Sequence, residues 1–477
     1  MSKMLKDSLS EFWASITAKV GIVFLVIVIA VSVFTVVTMP LDFGSRYWSN
    51  PPYWVDNPKL AKPEWLNSLT SEKLLKHSVL ESTFPASQIV GIYTVRYYNM
   101  SYTLDVNYFP TFITLKLENL TYYQRPPTIK VFIQRPDGKT IDLYTFNVEG
   151  PAENESAPYV RYTVEPKRIL LSGEQFIANS LSTFLFNEYG VLMAPSEIMN
   201  VGYEKIIFGE IAANNTFSPL KGTYNISVVL YARDPQDTLS KAIFIVGGMV
   251  YGLMGTDTQG RDLFQGLLFG FPVALLIGFV TAVITTLIGA GLGIVSGYMG
   301  GRLDDAIQRV SDVVNNFPQL PLLIFLTFVF GGKLWIIVLV LIAFGWPALT
   351  IIVRSMVLSM KSASFVEAAV SLGASRRRIM ARYIFPQVAP FILSQMIFYT
   401  PAAILSEAGL SFLGLGDPTI PTWGQILEYG FKNGAVYLGY WWWILPPGIL
   451  IVFSAVTFVL LALGLEPVVN PRLRRWR

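Results

Sequence analysis

The chain has 477 residues, 52% of them hydrophobic and only 14% charged. A soluble globular domain carries nearer a quarter charged residues, so this balance excludes an ordinary soluble protein and points to a membrane. With no cysteine and one histidine, disulfides, thiolate metal sites, cysteine nucleophiles and two-histidine mechanisms are excluded as well, and the net charge of +4 matters less than where its charges fall.

The first predicted element is Val20 to Met39, an uncharged apolar run of the ~20 residues that a bilayer-spanning helix needs. A cleavable signal would have a shorter apolar core and a small-residue cleavage site; this run ends in MPLDFG and is expected to be a retained span. The segment from Pro40 to about Lys241 is polar, aromatic and rich in Tyr, Thr and Pro. TFITLKLENLTYY, TIKVFIQRPDGKTIDLYTFNV and GTYNISVVLYARD alternate with period two around turn residues, which predicts an antiparallel β-sandwich over roughly 85–235. Within it, Lys167 to Tyr189 is expected to be helical, and the lone His77 to be a surface residue. Further apolar zones follow at Phe269–Ser296, at Leu320–Phe330 and Trp335–Val353 around a GGK turn, at Val388–Leu405 and at Trp441–Leu463. The expected organisation is a terminus and first span over 1–39 and a β-rich domain over 40–241. A helical core over 242–465, containing a basic loop at 354–390, and a basic tail over 466–477 complete it.

Lysine and arginine in short loops set the orientation of such a chain. The N-terminal segment carries Lys3, Lys6 and Lys19, and the tail ends RLRRWR. The loop before the fifth span carries Arg354, Lys361, Arg376, Arg377, Arg378 and Arg382 against one acid, Glu367. Six spans place all three on one side, expected to be the cytoplasm, and place the β-rich domain outside. Asn-x-Ser/Thr sequons at Asn99, Asn119, Asn154, Asn214 and Asn225 all fall in that domain, which favours glycosylation over chance. The apolar zones hold no Asp, Glu, Lys or Arg at mid-depth apart from Lys333 at a turn, where ion-coupled transporters need such groups. A phosphate-cradling G-x-x-x-x-G-K-[ST] loop is missing too, since FGGKLW has the wrong spacing. The driving energy is therefore expected to come from elsewhere.

One stretch stands apart: VEAAVSLGASRRRIMARYIFPQVAP, 366–390, crowds four arginines into seven positions between apolar runs. Phe365, Ala368, Ala369 and Leu372 recur at i, i+3, i+4 and i+7, the spacing of one helix face. Gly373 can turn the chain with positive φ, and Ser375 is a candidate N-cap for a second helix from Arg376 to Ile384. Pro386 disfavours helix at Phe385 and limits continuation. Two short helices about a glycine corner make a knob, with Ala368 and Ala369 small enough for close approach of another backbone and Glu367 as an acceptor. On these residues alone, an interfacial loop with its arginines on lipid headgroups is an equal reading.

EAAVSLGASRRRIMARYIFP resembles the EAA loop of permease subunits of binding-protein-dependent ABC importers. That loop reads Glu-Ala-Ala, three residues, Gly, nine residues, then Ile-x-Leu-Pro. Glu367, Ala368, Ala369, Gly373 and Pro386 fall on the pattern, with Tyr383 and Phe385 in the Ile and Leu positions. GTDTQGRDLF (255–264), GYMGGRLDDAIQRVSDVVNNFPQLPLL (297–323) and EAGLSFLGLGDPTIPTWGQIL (407–427) are similar to the C-type subunit of the dipeptide/oligopeptide branch. The resemblance implies an α-helical membrane protein with the six transmembrane helices of the type I ABC importer fold, here with an inserted extracytoplasmic, mainly-β domain.

The resemblance also implies roles. Ser364–Leu372 would be a coupling helix docked in a cytoplasmic ATPase, with Phe365, Glu367, Ala368, Ala369, Gly373 and Pro386 at that contact. Gly278, Gly289, Gly291, Gly293 and Gly297 of the second span would permit close helix crossing. Asp257, Arg261, Asp262 and Glu407 would shape the outer mouth or a docking surface, or the first three would brace the second span. The implied partners are a second, B-type permease, two ABC ATPases that bind ATP and Mg, an extracytoplasmic substrate-binding protein and membrane lipid. No cofactor, metal, nucleic acid or catalytic residue is implied for this chain, and its expected location is the plasma membrane of an archaeon or bacterium. The chain departs from typical members in reading GFPVAL at 270–275, without an arginine, and in its outer insertion of roughly 200 residues. That insertion is expected to contact the binding protein or the partner permease. Oligosaccharides or another small solute are alternatives to di- and oligopeptides as cargo. A membrane-anchored surface receptor or adhesion protein is the alternative from another class.

Overall fold

The computed structural model describes residues 12–212 and 216–469. Lys3, Lys6, the sequon at Asn214 and the basic tail beyond Val469 lie outside the described residues. The chain divides into two compact units, one of Pro52–Asp262 and one of Met1–Pro51 with Leu263–Arg477, so the inserted unit has edges at 52 and 262 where 40 and 241 were expected.

Helix α1, Ile16–Thr38, opens the helical unit, with the Ser15 side chain accepting from the Ala18 N–H at its N-cap. The inserted unit is built on two five-stranded antiparallel sheets. One runs β2 (Ala86–Val90), β3 (Tyr93–Leu104), β11 (Gly222–Ala232), β5 (Thr128–Gln134), β6 (Thr140–Asn147), with strands numbered in chain order. The other runs β1 (Ser78–Ser82), β12 (Thr238–Val246), β4 (Ile113–Tyr122), with β7 (Tyr159–Arg161) and β8 (Lys167–Leu170) both pairing to β4. Period-two alternation buries Tyr98, Met100, Tyr102 and Leu104 of β3 and Ile129, Val131 and Ile133 of β5 in a shared core. In β4 the alternation slips, because Asn119 takes a φ of 53° and donates its N–H to the Tyr162 carbonyl. Leu117 and Leu120, three apart, can therefore both point inward.

The sandwich reaches further than 85–235, because β1 and β12 pair with each other and close the second sheet. The helix expected over Lys167–Tyr189 begins later. KRIL is taken up by the open edge of β4, and helix α2 runs over Gln175–Tyr189. Helices α3 (Pro195–Val201) and α4 (Tyr203–Ile207) follow, and the buried Arg135 donates to the Ile206 and Gly209 carbonyls beside them. His77 is not a surface residue: it is largely buried, with its ring 5.5 Å from that of Tyr251 and 6.3 Å from that of Phe112.

In the helical unit, α5 (Leu263–Met299), α6 (Gly301–Asn315), α7 (Gln319–Phe330), α8 (Leu334–Lys361), α9 (Ser364–Ser371), α10 (Arg376–Ile379), α11 (Phe385–Leu410), α12 (Trp423–Lys432) and α13 (Trp441–Val469) follow in order. Five stretches are long and apolar enough to cross a bilayer: α1, α5, α8, the run Arg376–Leu415 containing α11, and α13. The sixth expected span is instead a pair, α6 and α7, bent by 77° where Pro318 breaks the helix. At ~1.5 Å per residue, the twelve residues of α7 fall well short of the ~30 Å apolar core. Helix α8 extends through Arg354 to Lys361, so neither of these residues lies in a loop. Pro386 does not stop the chain either. A wide five-residue turn over Met380–Ile384 carries the helix through this proline, which sits in the first turn of α11.

The α5–α8 crossing rests on three glycines. A Cβ at Gly289, Gly293 or Gly297 would lie 2.8 Å from the carbonyl oxygen of Trp346, Thr350 or Arg354 respectively. Gly278 instead faces Thr400 and Ile404 of α11, and Gly291 faces open space, so Gly291 has no part in the crossing. Gly293→Leu is expected to abolish recovery of a monodisperse protein on detergent size-exclusion chromatography, whereas Gly291→Leu should elute as wild type. Identical behaviour of the two variants would remove the seam.

Burial holds the His77 pKa down to about 4, while the unfolded chain protonates near 6.5. Between these values the unfolded state binds more protons, so the His77 contribution is complete above pH 6.5 and lost as pH falls towards 4. Acidification through that window should cost up to about 3 kcal/mol in thermal or denaturant unfolding. His77→Phe should flatten the dependence, and an unchanged slope in that variant would refute the assignment.

Candidate functional site

The stretch 361–390 folds as a knob fused to the helical unit. After α8 ends, the Ala363 carbonyl accepts from the Val366 and Glu367 N–H groups and starts α9. The helix stops where Gly373 takes a φ of 78° and Ala374 N–H returns to the Ala369 carbonyl at 3.0 Å. No atom lies within 4 Å of where a Gly373 side chain would begin, so backbone conformation and not space selects glycine there. Ser375 occupies the N-cap position of α10 with extended backbone but makes no side-chain cap.

Of the i, i+3, i+4, i+7 face, Phe365, Ala368 and Leu372 are exposed and Ala369 is turned inward. Val366 and Ala369 are buried, together with Ile379 and Ile384, in one apolar cluster with Ala290, Ile294 and Tyr298 of α5 and Leu349, Val353 and Val357 of α8. Ala369 thus belongs to the chain's own core and does not offer itself to another backbone. Phe365, Glu367, Ala368, Val370, Gly373 and Pro386 are exposed, and Leu372 is 87% exposed. Arg376, Arg377, Arg378 and Arg382 are exposed as well. The outcome is a firm protrusion with a carboxylate and several apolar groups on its free side.

Above the knob lies a polar junction that the sequence pattern did not reveal. Arg354 of α8 forks onto Asp304 of α6, with Nε donating to Oδ1 and Nη2 to Oδ2, each at 2.6 Å. Ser296 of α5 donates its hydroxyl to the same Oδ1, and Gln308 Nε2 donates to Ser296 Oγ at 3.1 Å. One carboxylate therefore joins α5, α6 and α8, seven residues before the end of α8. The signal in the sequence was the charge pair itself, in GGRLDDAIQR and IIVRSM, but the arginine reads as a loop residue unless α8 is known to continue.

The remaining candidates are placed apart from the knob. In the inserted unit, Asp257 and Arg261 are buried in a mutual ion pair, and Asp257 Oδ1 also accepts from the Gln259 and Arg261 N–H groups at 2.8 and 3.0 Å. Asp262 is buried beside them. In α11 the buried Glu407 accepts from the Ser411 hydroxyl at 2.6 Å. All four side chains are internal, and the first three form a brace, not a surface that another protein could meet. Four sequon asparagines, Asn99, Asn119, Asn154 and Asn225, are exposed. Among the described residues no group of His, Asp or Glu side chains is arranged to hold a metal ion.

A bundle of long apolar helices with an exposed basic knob defines a polytopic membrane protein. Residues 289–475 match the family described as binding-protein-dependent transport system inner membrane component. The dipeptide transport system permease protein DppC of Bacillus subtilis is 36% identical over 222 residues, 46% of this chain and 69% of that protein. The oligopeptide transport system permease protein OppC of Haemophilus influenzae is 33% identical over 223 residues, covering 46% and 71% respectively. A putative peptide transport system permease protein of Brucella suis is 37% identical over 223 residues, covering 46% and 74%. The chain belongs to the permeases of binding-protein-dependent ABC importers, in their C-type dipeptide/oligopeptide branch, as its motifs implied. The matched family segment begins after the inserted unit ends.

The Arg354–Asp304 fork is open to direct test. Asp304→Ala or Arg354→Ala leaves one charge half-buried without its partner and should lower stability in detergent by about 2–3 kcal/mol. Exchanging the two residues, D304R with R354D, should recover part of the loss. If the exchange is no better than the single variants, the ion pair is not what holds α6 to α8.

Proposed function

We propose that the chain forms half of the translocation pathway of an ATP-driven importer of di- and oligopeptides and carries no catalytic chemistry itself. A second, B-type permease supplies the other half, two ATPases bind ATP and Mg, and an extracytoplasmic binding protein delivers cargo. The observation that carries this reading is the knob: α9 is keyed by Val366 and Ala369 into the same cluster that contains α5 and α8. A push on its free side, at Phe365, Glu367 and Ala368, would turn those helices as one body. A receptor or adhesion protein anchored by its helices has no use for such a lever.

In this reading the bent pair α6–α7 crosses as one broken span, so six spans put the knob and both termini in the cytoplasm and the β unit outside. The exposure of Asn99, Asn119, Asn154 and Asn225 leaves those sequons open to glycosylation there. Peptide cargo is supported by what the relatives are named for, and a copurified binding protein with its bound ligand would identify it directly.

Gly373→Val places a β-branched residue at a φ of 78° while meeting no neighbouring atom, so it strains the corner without a clash. In proteoliposomes of the full complex, peptide uptake per ATP hydrolysed should fall at least about tenfold, with membrane insertion unchanged. Wild-type coupling in this variant would sink the lever role.

A further inference from the structure

An open groove of about 350 Å³ lies between the second half of α5 and the turn that joins α10 to α11. Gly291, Ile294 and Val295 form one wall, Met380, Ala381 and Phe385 form the other, and Arg377 is the charged residue that lines it. The wide turn over Met380–Ile384 shapes the second wall, because such a turn sets residues five apart on one face. Ile379 and Ile384 turn into the apolar cluster, while Met380 and Phe385 both reach the groove. No atom lies within 4 Å of where a Gly291 side chain would begin, and Phe385 is 48% exposed, so the chain does not fill this space itself. At ~1.5 Å per residue, Val295 lies about 6 Å and Gly291 about 12 Å inside the end of α5 at Met299. The groove therefore reaches from the basic end of the bundle into its apolar layer.

Arg376, Arg377, Arg378 and Arg382 are all exposed, and among the described residues none of them forms an ion pair. From Ala368 to Ser406 the sequence holds no Asp or Glu, so no carboxylate nearby in the chain balances them. A partner protein's carboxylate would satisfy Arg377 and leave the apolar walls bare, and an apolar side chain would do the reverse. An anion with a long apolar tail answers both, and basic clefts between membrane helices select such headgroups. We propose that the groove binds one phospholipid with a net negative headgroup, its phosphate on Arg377 and an acyl chain laid along Gly291, Val295 and Phe385. Arg376, which does not line the groove, contributes only long-range attraction. The proposal needs the helices to lie in a bilayer and does not depend on what the permease carries.

The test uses the full-length protein, with the subunits that copurify with it, in nanodiscs doped with one of two photoreactive lipids. Both carry a diazirine in the same acyl chain, and they differ only in a phosphatidylglycerol or a phosphatidylcholine headgroup. Crosslinks mapped by peptide mass spectrometry should fall on residues 291–295 and 380–385, with the phosphatidylglycerol probe labelling them at least about fivefold more. Arg377→Gln should remove that preference, and Arg376→Gln should keep most of it. Gly291→Leu fills the groove without entering the α5–α8 crossing, so it should abolish labelling there while still eluting as wild type. Equal labelling by the two probes in wild type, a preference that survives R377Q, or equal losses in R377Q and R376Q would overturn the headgroup contact. Groove labelling that persists in G291L, or a wild-type groove left unlabelled because another subunit covers it, would overturn the site.

Discussion

Helices α5 and α8 touch backbone to backbone, and the seating of the knob in the helical unit depends on that contact. Between two apolar helices in lipid there is no hydrophobic gain from association, so they hold together only where side chains are small enough for main chains to meet. Gly289, Gly293 and Gly297 provide that at successive turns of one face, and the Thr350 hydroxyl donates to the Gly289 carbonyl at 3.0 Å across the seam. The residues interleaved with the seam do the next job. Ala290 and Ile294 on one side and Leu349 and Val353 on the other form the floor into which Val366 and Ala369 of α9 are set. The knob is therefore held by a closely packed part of the bundle.

The proposed lever role needs stiffness at the root of the knob and a defined corner. The root is the apolar cluster, and its polar counterpart is Asp304, which takes donors from Ser296 on α5 and Arg354 on α8 at once. Because Asp304 sits on α6, the same carboxylate ties the α5–α8 pair to the bent pair α6–α7. The corner is Gly373, where a left-handed φ reverses the chain within a few residues. Stiffness here comes from packing and one ion pair, and every part of it lies within one compact unit.

Much of this was legible in the sequence because it depends on local pattern. Period-two alternation gave the strands of the β unit, and long uncharged runs gave the five long helices. The glycine corner was visible because Gly373 stands among helix formers. What escaped were features set by tertiary partners. KRIL at 167–170 has a helix-like neighbourhood, but the open edge of β4 was there to pair with it. Pro386 is a stop signal on its own, yet a wide turn ahead of it lets the helix continue. Arg354 reads as a loop charge until Asp304 is seen to pair with it inside the bundle. His77 reads as a surface residue because nothing in its neighbours announces burial, and Asp257 and Arg261 leave a docking role and a bracing role equally open until their buried pairing is seen. In α9 only Ala369 departs from the face offered to a partner, because the cluster with α5 and α8 that receives it cannot be read from two turns of sequence.

The inserted unit raises the question of how an ABC permease accepts more than two hundred extra residues between its first two spans. The answer lies in where the unit begins and ends. Its first and last segments run side by side: Leu60 N–H bonds the Asp257 carbonyl, Lys62 N–H bonds the Met249 carbonyl, and the Asn57 side chain donates to the Gly260 carbonyl. Thr256 seals the same junction by donating to the Pro58 carbonyl while accepting from the Ala61 N–H. The buried Asp257–Arg261 pair lies next to these bonds, so the motif GTDTQGRD serves to close the neck. An insertion whose two ends are tied together enters and leaves at one place and asks nothing of the helices it interrupts. Contacts of α1 with α13 at Gly21 and Gly464 can then form as though the intervening domain were a short loop. The same neck explains why a charged motif near the second span is buried: its charges are spent on holding the domain shut.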